Sequence, residues 1–308
     1  MPNQNLRAAA ILTLAMALFA MEDAFIKTLA VELPFSQVLA MIGVGGLIVF
    51  GGQMWLRGER FWTRDLLAPA VVLRNVAEAV EAVALVIALG LVDLSTTSAI
   101  LQAIPLFITL GAAIWLKERI SWRRGAAIAL GLVGVLMILR PGLEGFQPAA
   151  LWAVLAAAAL AARDLATRRA PRGMGSAQLS TSAFAAMLLG AVAMALAMGE
   201  RPVMPDATQA ALALGCVTMT VTGYMLLVRA TRIGEASALA PVRYTRLVFV
   251  LILAVGVFGE RLDALTIAGA VLIVGSGSYT LWREARLSRR ALDAADPVPS
   301  APARPRAA

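Results

Sequence analysis

Charged side chains inside long apolar stretches are the residues of this sequence whose types and spacing could do chemistry. The stretch at 66–90 contains Arg74, Asn75, Glu78 and Glu81. A charge at the centre of a bilayer costs about 2.5–3.5 kcal/mol, so we expect these groups to face protein or water. Spacings of four and three place the three charges on one helix face, where Arg74 pairs with Glu78 and Glu81 is left to bind a proton or a polar substrate. In the alternative, the charges form a network that only holds this helix in place.

One pattern of charges occurs twice. The spacing Ala20-x-x-Asp23-x-x-x-Lys27 recurs as Ala161-x-x-Asp164-x-x-x-Arg168. Residues four apart are neighbours on a helix surface, so each acid is predicted to form a structural pair with the base that follows it. The adjacent positions, Glu22 and Arg163, carry opposite charges and point about 100° away from these pairs. They are predicted either to bind an asymmetric substrate or to pair with each other.

A third group of polar residues lies near the end of the chain. Arg243 and Arg246 share a helix face, and Tyr244 between them offers a ring for stacking and a hydroxyl for hydrogen bonding. Tyr224 offers a second ring in the preceding stretch. The two arginines are predicted either to bind substrate or to neutralise the glutamates of the stretch at 66–90.

Two prolines interrupt apolar stretches at roughly corresponding places in the two halves of the chain. Pro241 precedes the arginine pair, and Pro105 follows Gln102 by three residues. Each proline frees a backbone carbonyl, which at membrane depth must face protein or a water-filled cavity. Interrupted helices in both halves are a typical sign of a transporter binding site, whereas a packing kink is the alternative.

The composition predicts the elements that must position these residues. The chain of 308 residues is 60% apolar and 15% charged, with a mean hydropathy of +0.80. Its apolar residues form blocks of about 20, enough to cross a hydrocarbon core of about 30 Å. We predict an all-α polytopic membrane protein with ten transmembrane helices. The predicted spans are 8–30, 35–56, 66–90, 95–116, 121–140, 148–168, 176–198, 207–228, 235–258 and 264–283.

The basic residues fall mainly on one side of the predicted membrane. If the N-terminus is cytoplasmic, nineteen lie on that side: Arg7, Arg57, Arg60, Arg64, Lys117, Arg119, Arg123, Arg124, Arg168, Arg169, Arg172, Arg229, Arg232, Arg283, Arg286, Arg289, Arg290, Arg304 and Arg306. The other side has Arg140, Arg201 and Arg261. This bias predicts that both termini are cytoplasmic, and it attributes the net charge of +8 to contacts with the lipid bilayer rather than nucleic acid.

The repeated pattern predicts two domains of five helices, at 8–140 and 148–283. Because five is odd, the second domain has the opposite orientation, as in transporters that alternate access around a site between inverted repeats. The Pro- and Arg-rich segment 288–308 is predicted to be a disordered cytoplasmic tail. Spaced glycines in the fifth and tenth helices predict either the contact between the halves or a homodimer face.

The sequence argues against catalysis. It has no His, and Cys216 is its one Cys, so no zinc site, disulfide or haem motif is expected, and no cofactor or metal is predicted. It also contains no phosphate-binding glycine loop and no nucleophile with a partner base. An enzyme is therefore not expected. A non-transporting membrane scaffold or complex subunit remains an alternative, but it would not need the charges within the spans.

Two motifs of the chain are similar to those of a known family. The fourth helix of each half ends in Glu118-Arg119 or Glu260-Arg261, and the ninth helix reads Ser237-Ala-Leu-Ala-Pro241-x-Arg243-Tyr244-Thr-Arg246-Leu. These features resemble the EamA-type members of the drug/metabolite transporter superfamily. The resemblance implies a secondary carrier of small metabolites in the bacterial inner membrane, with a site lined by its first, third, fourth, sixth, eighth and ninth helices.

The start of the chain suggests a substrate. The segments Phe19-Ala-Met-Glu22-Asp23-Ala-Phe-Ile-Lys27, Leu33-Pro34-x-x-Gln37 and Gly43-x-Gly45-Gly46 are similar to those of RibN-type riboflavin transporters. This similarity implies riboflavin uptake. The groups offered to a flavin are Tyr224, Tyr244, Phe25, Phe107, Asn75, Gln102, Thr218 and Thr222. An exporter of amino acids or related metabolites, binding carboxylate and ammonium groups through Arg and Glu, is the alternative.

Overall fold

The computed structural model describes residues 2–115, 122–142, 146–171, 173–233, 239 and 241–295. Within these residues the regular elements are all helical, as predicted. The α-helices are α1 (Pro2–Glu32), α2 (Phe35–Leu56), α3 (Pro69–Leu91), α4 (Leu94–Leu101), α5 (Ile104–Trp115), α6 (Trp122–Leu139), α7 (Ala150–Thr167), α8 (Ser176–Met198), α9 (Ala207–Ile233), α10 (Thr245–Gly256) and α11 (Ala264–Ala295). Two 3₁₀ segments span Arg64–Leu67 and Pro241–Tyr244.

These helices are those of a polytopic membrane protein. Among the described residues, six segments are long and apolar enough to cross a bilayer: Gln4–Glu32, Phe35–Leu56, Leu94–Trp115, Ala150–Thr167, Ser176–Met198 and Ala207–Thr231. Shorter apolar helices cover Gly125–Leu139 and Ala264–Thr280. The other two predicted spans coincide with α3 and with α10 and its preceding 3₁₀ turn. Glu118, Arg119 and Ser237, which carry part of the family resemblance, lie outside the described residues.

The two halves pack on each other as inverted repeats. The most extensive helix contacts all join the halves: α1 with α9, α3 with α7, α2 with α8, and α6 with α11. In the second half, α7 is the counterpart of α1 and α9 is the counterpart of α3, so exchanging the halves converts the α1–α9 contact into the α3–α7 contact. The α2–α8 and α6–α11 contacts each join two counterparts and therefore stay the same. The equivalent helices α2 and α8 run antiparallel, because Gly43 faces Leu188 while Gly51 faces Thr181. Antiparallel equivalents mean that the second repeat has the opposite orientation.

The glycines of the fifth and tenth spans lie at the contact between the halves. A Cβ atom on Gly134 would lie 2.7 Å from the carbonyl oxygen of Gly269, so the backbones of α6 and α11 meet there directly. This supports the first of the two predicted roles, while a homodimer stays a prediction. Helix α11 continues to Ala295, into the segment for which the sequence predicts disorder, and residues 296–308 lie outside the described residues.

Candidate functional site

A cavity of about 530 Å³ lies at the interface between the repeats. Its lining residues come from α1, α3, α4, α5, α7, α9 and α10, as the sequence predicts, and also from α2 and α8, which the prediction omits. Every predicted site residue except Asn75 lines this cavity: Glu22, Arg74, Glu78, Glu81, Gln102, Arg163, Tyr224, Arg243, Tyr244 and Arg246. Asn75 lies beside it and accepts hydrogen bonds from Arg74 (3.1 Å) and Ser182 (3.2 Å). Phe25, Phe107, Thr218 and Thr222 are not among the lining residues.

The first ion pair of the cavity joins α1 to α10. The Arg246 guanidinium donates to both carboxylate oxygens of Asp23 at 2.7 Å, and Asp23 is only 1% exposed. The predicted pairing of Asp23 with Lys27 is therefore wrong. A bidentate arginine better replaces the water that a buried carboxylate loses than a lysine one turn away does. The partners are 223 residues apart in sequence, so no local pattern could reveal the pair.

The second ion pair joins α3 to α7. Arg163 contacts Glu78 at 3.3 Å and Asp164 at 2.9 Å. This arrangement replaces two predicted pairs, since Asp164 was expected to bind Arg168 and Glu78 to bind Arg74. Arg74 instead donates to Asn75 and to the Leu179 carbonyl oxygen, both at 3.1 Å. The cations of the second repeat thus neutralise carboxylates of the first.

Two carboxyl groups of the cavity lack such a cation. Glu22 accepts a hydrogen bond from Thr220 at 2.7 Å, and its predicted pairing with Arg163 does not form. Glu81 is buried at the cavity wall. Among the described residues, neither glutamate forms a salt bridge. Glu81 is the carboxylate left over, as the sequence predicts, and Glu22 is a second one on the neighbouring helix.

Aromatic rings form part of the cavity wall. Phe50 of α2 stacks on Phe184 of α8 with ring centroids 5.3 Å apart, and Tyr224 meets Phe50 edge-on at 5.7 Å. Phe184 lies directly against Gly46, where a Cβ atom would overlap its ring. The sequence prediction found Tyr224 but missed both phenylalanines, because their stacking depends on how α2 packs against α8.

Two buried polar groups on residues that line the cavity have no hydrogen-bond partner among the described residues. The Gln102 side-chain nitrogen and the Tyr244 hydroxyl form no hydrogen bond within the described part of the chain. Gln102 lies in the break between α4 and α5, and Tyr244 ends the 3₁₀ segment before α10. The predicted interruptions of these two helices are therefore present, and both border the cavity. Both atoms are buried, and the Tyr244 hydroxyl packs against Gly277 of α11.

The cavity is open towards one end of the bundle. We call the end where α1 begins the open end. Arg243 and Thr167, both exposed cavity residues, lie on this side. We call the opposite end, where α1 ends and α4 begins, the closed end. There the buried residues Leu29, Leu89 and Leu94 belong to the hydrophobic cluster that covers the cavity.

A polar network joins the repeats at the closed end. Glu260, in the connection after α10, accepts hydrogen bonds from the backbone N–H groups of Leu94 (2.6 Å) and Ser95 (3.0 Å) at the start of α4. Lys27 lies 3.9 Å from Glu260 and donates to the Val92 carbonyl oxygen at 2.8 Å. A carboxylate at a helix N-terminus is favoured by the helix dipole and satisfies its free N–H groups. This network therefore links α1, α3 and α4 to the second repeat.

Comparison with known proteins identifies the family. Residues 6–140 and again 147–281 match the EamA-like transporter family. The chain belongs to this family. It is accordingly a small-molecule transporter of the drug/metabolite transporter superfamily, and its multi-pass membrane location follows from the same assignment. The described residues contain no cluster of three or more His, Cys, Asp or Glu that could hold a metal ion.

Relatives of this EamA transporter differ in what they carry. It is 29% identical over 198 residues to the S-adenosylmethionine uptake transporter of Rickettsia prowazekii, covering 64% of this chain and 66% of the relative. It is 28% identical over 195 residues to the riboflavin transporter of Vibrio cholerae, covering 62% and 64%. It is 26% identical over 262 residues to the pseudopaline exporter of Pseudomonas aeruginosa, covering 85% and 91%. The chain thus spans about two thirds of the length of the first two relatives.

A solved structure supports the fold. A crystal structure with 21% sequence identity superposes with a TM-score of 0.59, covering 89% of this chain and 98% of the other. At this identity the likeness concerns the fold alone.

Proposed function

We propose that this EamA transporter carries a metabolite with a positive charge and a planar ring, and that S-adenosylmethionine is the best candidate. The observation that carries the proposal is the pair of carboxyl groups, Glu22 and Glu81, that line the cavity without a cation among the described residues. A buried charge needs a partner, and a cationic ligand supplies one.

The remaining lining groups match the other parts of such a molecule. The sulfonium and ammonium groups of S-adenosylmethionine suit the two glutamates. Its carboxylate suits Arg74 or Arg243, because neither forms an ion pair within the described residues and guanidinium groups bind carboxylates well. Its adenine suits the wall formed by Phe50 and Phe184. The relative named for S-adenosylmethionine uptake supports this choice.

Riboflavin is the second candidate. The aromatic wall offers a stacking surface for a flavin ring, and a relative is named as a riboflavin transporter. Riboflavin is uncharged at neutral pH, however, and would supply no cation to either glutamate. The cavity charges therefore favour the cationic ligand. The alternative function, export of amino acids or related metabolites, would use the same kind of cavity. The direction of transport would then depend on the concentration gradients of the substrate and of any coupled ion.

The transport cycle is proposed to alternate access between the two ends of the bundle. The cavity is open at one end, while the hydrophobic cluster and the Glu260 network cover it at the other. Membership of the family favours the bacterial inner membrane. The distribution of basic residues favours cytoplasmic termini, which makes the open end the cytoplasmic one. Opening the closed end then requires the network of Lys27 and Glu260 to break.

Uptake of labelled substrate into proteoliposomes tests the proposal. The purified chain is reconstituted, and uptake of labelled S-adenosylmethionine and, separately, of labelled riboflavin is measured with unlabelled riboflavin, methionine or S-adenosylmethionine as competitor. We expect saturable uptake that S-adenosylmethionine and close cationic analogues inhibit, and that Glu81→Gln reduces strongly. Flavin uptake that only flavins inhibit would instead establish riboflavin. Absence of uptake of either compound by correctly inserted protein would contradict both candidates and direct the search to other metabolites.

A further inference from the structure

A second concave surface lies outside the substrate cavity. It is a groove of about 540 Å³ between α6 and α11, at the contact between the two repeats. Its wall is mainly apolar, with Ala126 and Leu130 on α6 and Val271 and Gly275 on α11. Trp122 and Tyr279 lie at the end of the groove that corresponds to the open end of the bundle. The proposed transport mechanism does not use this groove.

The groove runs beside the line along which α6 and α11 touch. The helices touch at Gly134 and Gly269, where a Cβ atom on either glycine would lie within 2.7 Å of the other's carbonyl oxygen. Closer to Trp122 the two helices still touch, because a Cβ atom on Gly131 would lie 2.6 Å from the Ser276 hydroxyl, but a Cβ atom on the neighbouring Gly275 would meet no atom within 4 Å. From Trp122 to Leu130 the helix rises about 12 Å, which is close to the roughly 15 Å of one leaflet's hydrocarbon. The groove therefore has the length of an acyl chain within one leaflet.

The wide end of the groove is aromatic and basic. Arg123 lies over the Trp122 ring at 5.4 Å, and Arg286 lies over the Trp282 ring at 5.4 Å. Arg283 follows the groove residue Tyr279 by four positions and so extends from the same face of α11. Both tryptophans are exposed, as expected for rings at a membrane interface. Within the described side chains, the charged groups at this end are Arg123, Arg283 and Arg286.

We propose that the groove binds an anionic phospholipid, with one acyl chain between α6 and α11 and the phosphate among Arg123, Arg283 and Arg286. The apolar wall suits the chain, the tryptophans suit the interface, and guanidinium groups form paired hydrogen bonds to phosphate oxygens. Charge complementarity selects an anionic headgroup over a zwitterionic one. Because α6 and α11 join the repeats, the bound lipid stabilises the contact between them.

Lipid-dependent thermal unfolding tests this site. The full chain is purified in a neutral detergent and titrated with phosphatidylglycerol or with phosphatidylcholine of the same acyl chains. Phosphatidylglycerol is expected to raise the unfolding temperature and to remain bound in native mass spectra, whereas phosphatidylcholine has little effect. Replacing Arg123, Arg283 and Arg286 by Ala is expected to weaken phosphatidylglycerol binding on the order of 100-fold, since each basic residue near an anionic surface contributes roughly a fivefold factor. Lysine at all three positions keeps the charge but not the paired hydrogen bonds, so it should preserve part of the binding.

Two control variants separate lipid binding from folding. Arg57, Arg60 and Arg64 are exposed arginines away from the groove, and their replacement by Ala should leave phosphatidylglycerol binding unchanged. A Cβ atom on Gly275 would meet no atom within 4 Å, so Gly275→Leu should project into the groove and abolish binding while the protein still folds. Equal stabilisation by both lipids, or unchanged phosphatidylglycerol affinity after replacement of the three groove arginines, overturns the proposal. So does a dimer cross-linked through this face in membranes, which would make the groove a protein interface.

Discussion

The closed end and the cavity both contain charged side chains between the repeats, but the two regions differ in whether the protein itself supplies partners for those charges. At the closed end, Glu260 is surrounded by two backbone N–H groups and Lys27, so the protein itself satisfies the carboxylate. In the cavity, Glu22 and Glu81 have no cationic partner among the described residues. A satisfied buried charge fixes a conformation, whereas an unsatisfied one invites a ligand. The difference indicates which region holds the two repeats together and which one binds substrate.

Separating Asp23 from Arg246 should have the largest effect, because it converts a satisfied cavity charge into an unsatisfied one. Asp23→Asn or Arg246→Leu leaves the other charge buried, which costs about 3–5 kcal/mol. We expect a large loss of thermal stability in either single variant. The double variant should recover part of it, and thermal unfolding in detergent measures all three. Equal losses that simply add would show that the two side chains do not act as a pair.

Neutralising the unpaired glutamates tests the other side of the comparison. Glu81→Gln or Glu22→Gln should reduce transport of a cationic substrate roughly 30-fold or more, since one partner lost from a buried charge pair costs about 2–5 kcal/mol. Membrane levels should stay near normal, because no internal pair is broken. Arg243→Ala should also impair transport at normal membrane levels. Glu32→Gln, at the exposed end of α1, is the matched control and should transport normally. Full activity of Glu81→Gln would remove it from the site.

Weakening the network at the closed end should shift the conformational equilibrium. Glu260→Gln loses the attraction to Lys27 and part of two charge-assisted hydrogen bonds, each worth about 1.5–3 kcal/mol. We expect a larger fraction of molecules open at this end, seen as faster labelling of a cysteine introduced at Leu89 in a Cys216→Ala background. An unchanged labelling rate would argue against a role of Glu260 in closure.

Moving the aromatic wall should alter substrate affinity more than stability. Gly46→Ala places a methyl group against the Phe184 ring, and overpacking of this kind costs about 1–3 kcal/mol. The ring must shift towards the cavity, so we expect a higher KM with similar membrane levels. Gly52→Ala, on the same helix with no atom within 4 Å of the new methyl group, is the control. Equal KM values for the two variants would place Phe184 outside the substrate site.

The smallest effect is expected at Asp263, an exposed contact at the closed end. Its carboxylate accepts N–H bonds from Leu265 and Thr266 at the start of α11 and pairs with Arg140. Asp263→Ala should cost about 1 kcal/mol of stability as a lost helix cap. Burial alone would raise the pKa of Asp263, but the hydrogen bonds from Thr266 and the Arg140 charge hold it below its usual range. The difference between variant and parent should therefore persist at neutral pH and vanish only in acid, as unfolding at several pH values would show.

The sequence alone determined the architecture. Apolar blocks of membrane length, turn residues between them and a repeated charge pattern predicted ten helices in two repeats, because bilayer thickness and hydrogen-bond satisfaction leave few other solutions. It also identified most of the charged residues of the cavity, since charged groups within spans are costly and must face an interior, but it assigned Asp23 and Asp164 to structural pairs within their own helices. Glu81 is the leftover carboxylate that the helix spacing predicts, although Glu78 is neutralised by Arg163 and not by Arg74 as that spacing implied.

The pairing of those residues was decided only by the tertiary structure. Asp23 meets Arg246 rather than Lys27, and Arg163 takes Glu78 rather than leaving it to Arg74. Helix spacing shows which side chains could pair within one helix, but not which helix lies opposite. The Phe50–Phe184 wall and the Glu260 network likewise depend on contacts between the two repeats. Helix packing decides these pairings because a buried charge or ring loses its contacts with water and is stabilised by the group that best replaces them. In this protein that group lies on another helix.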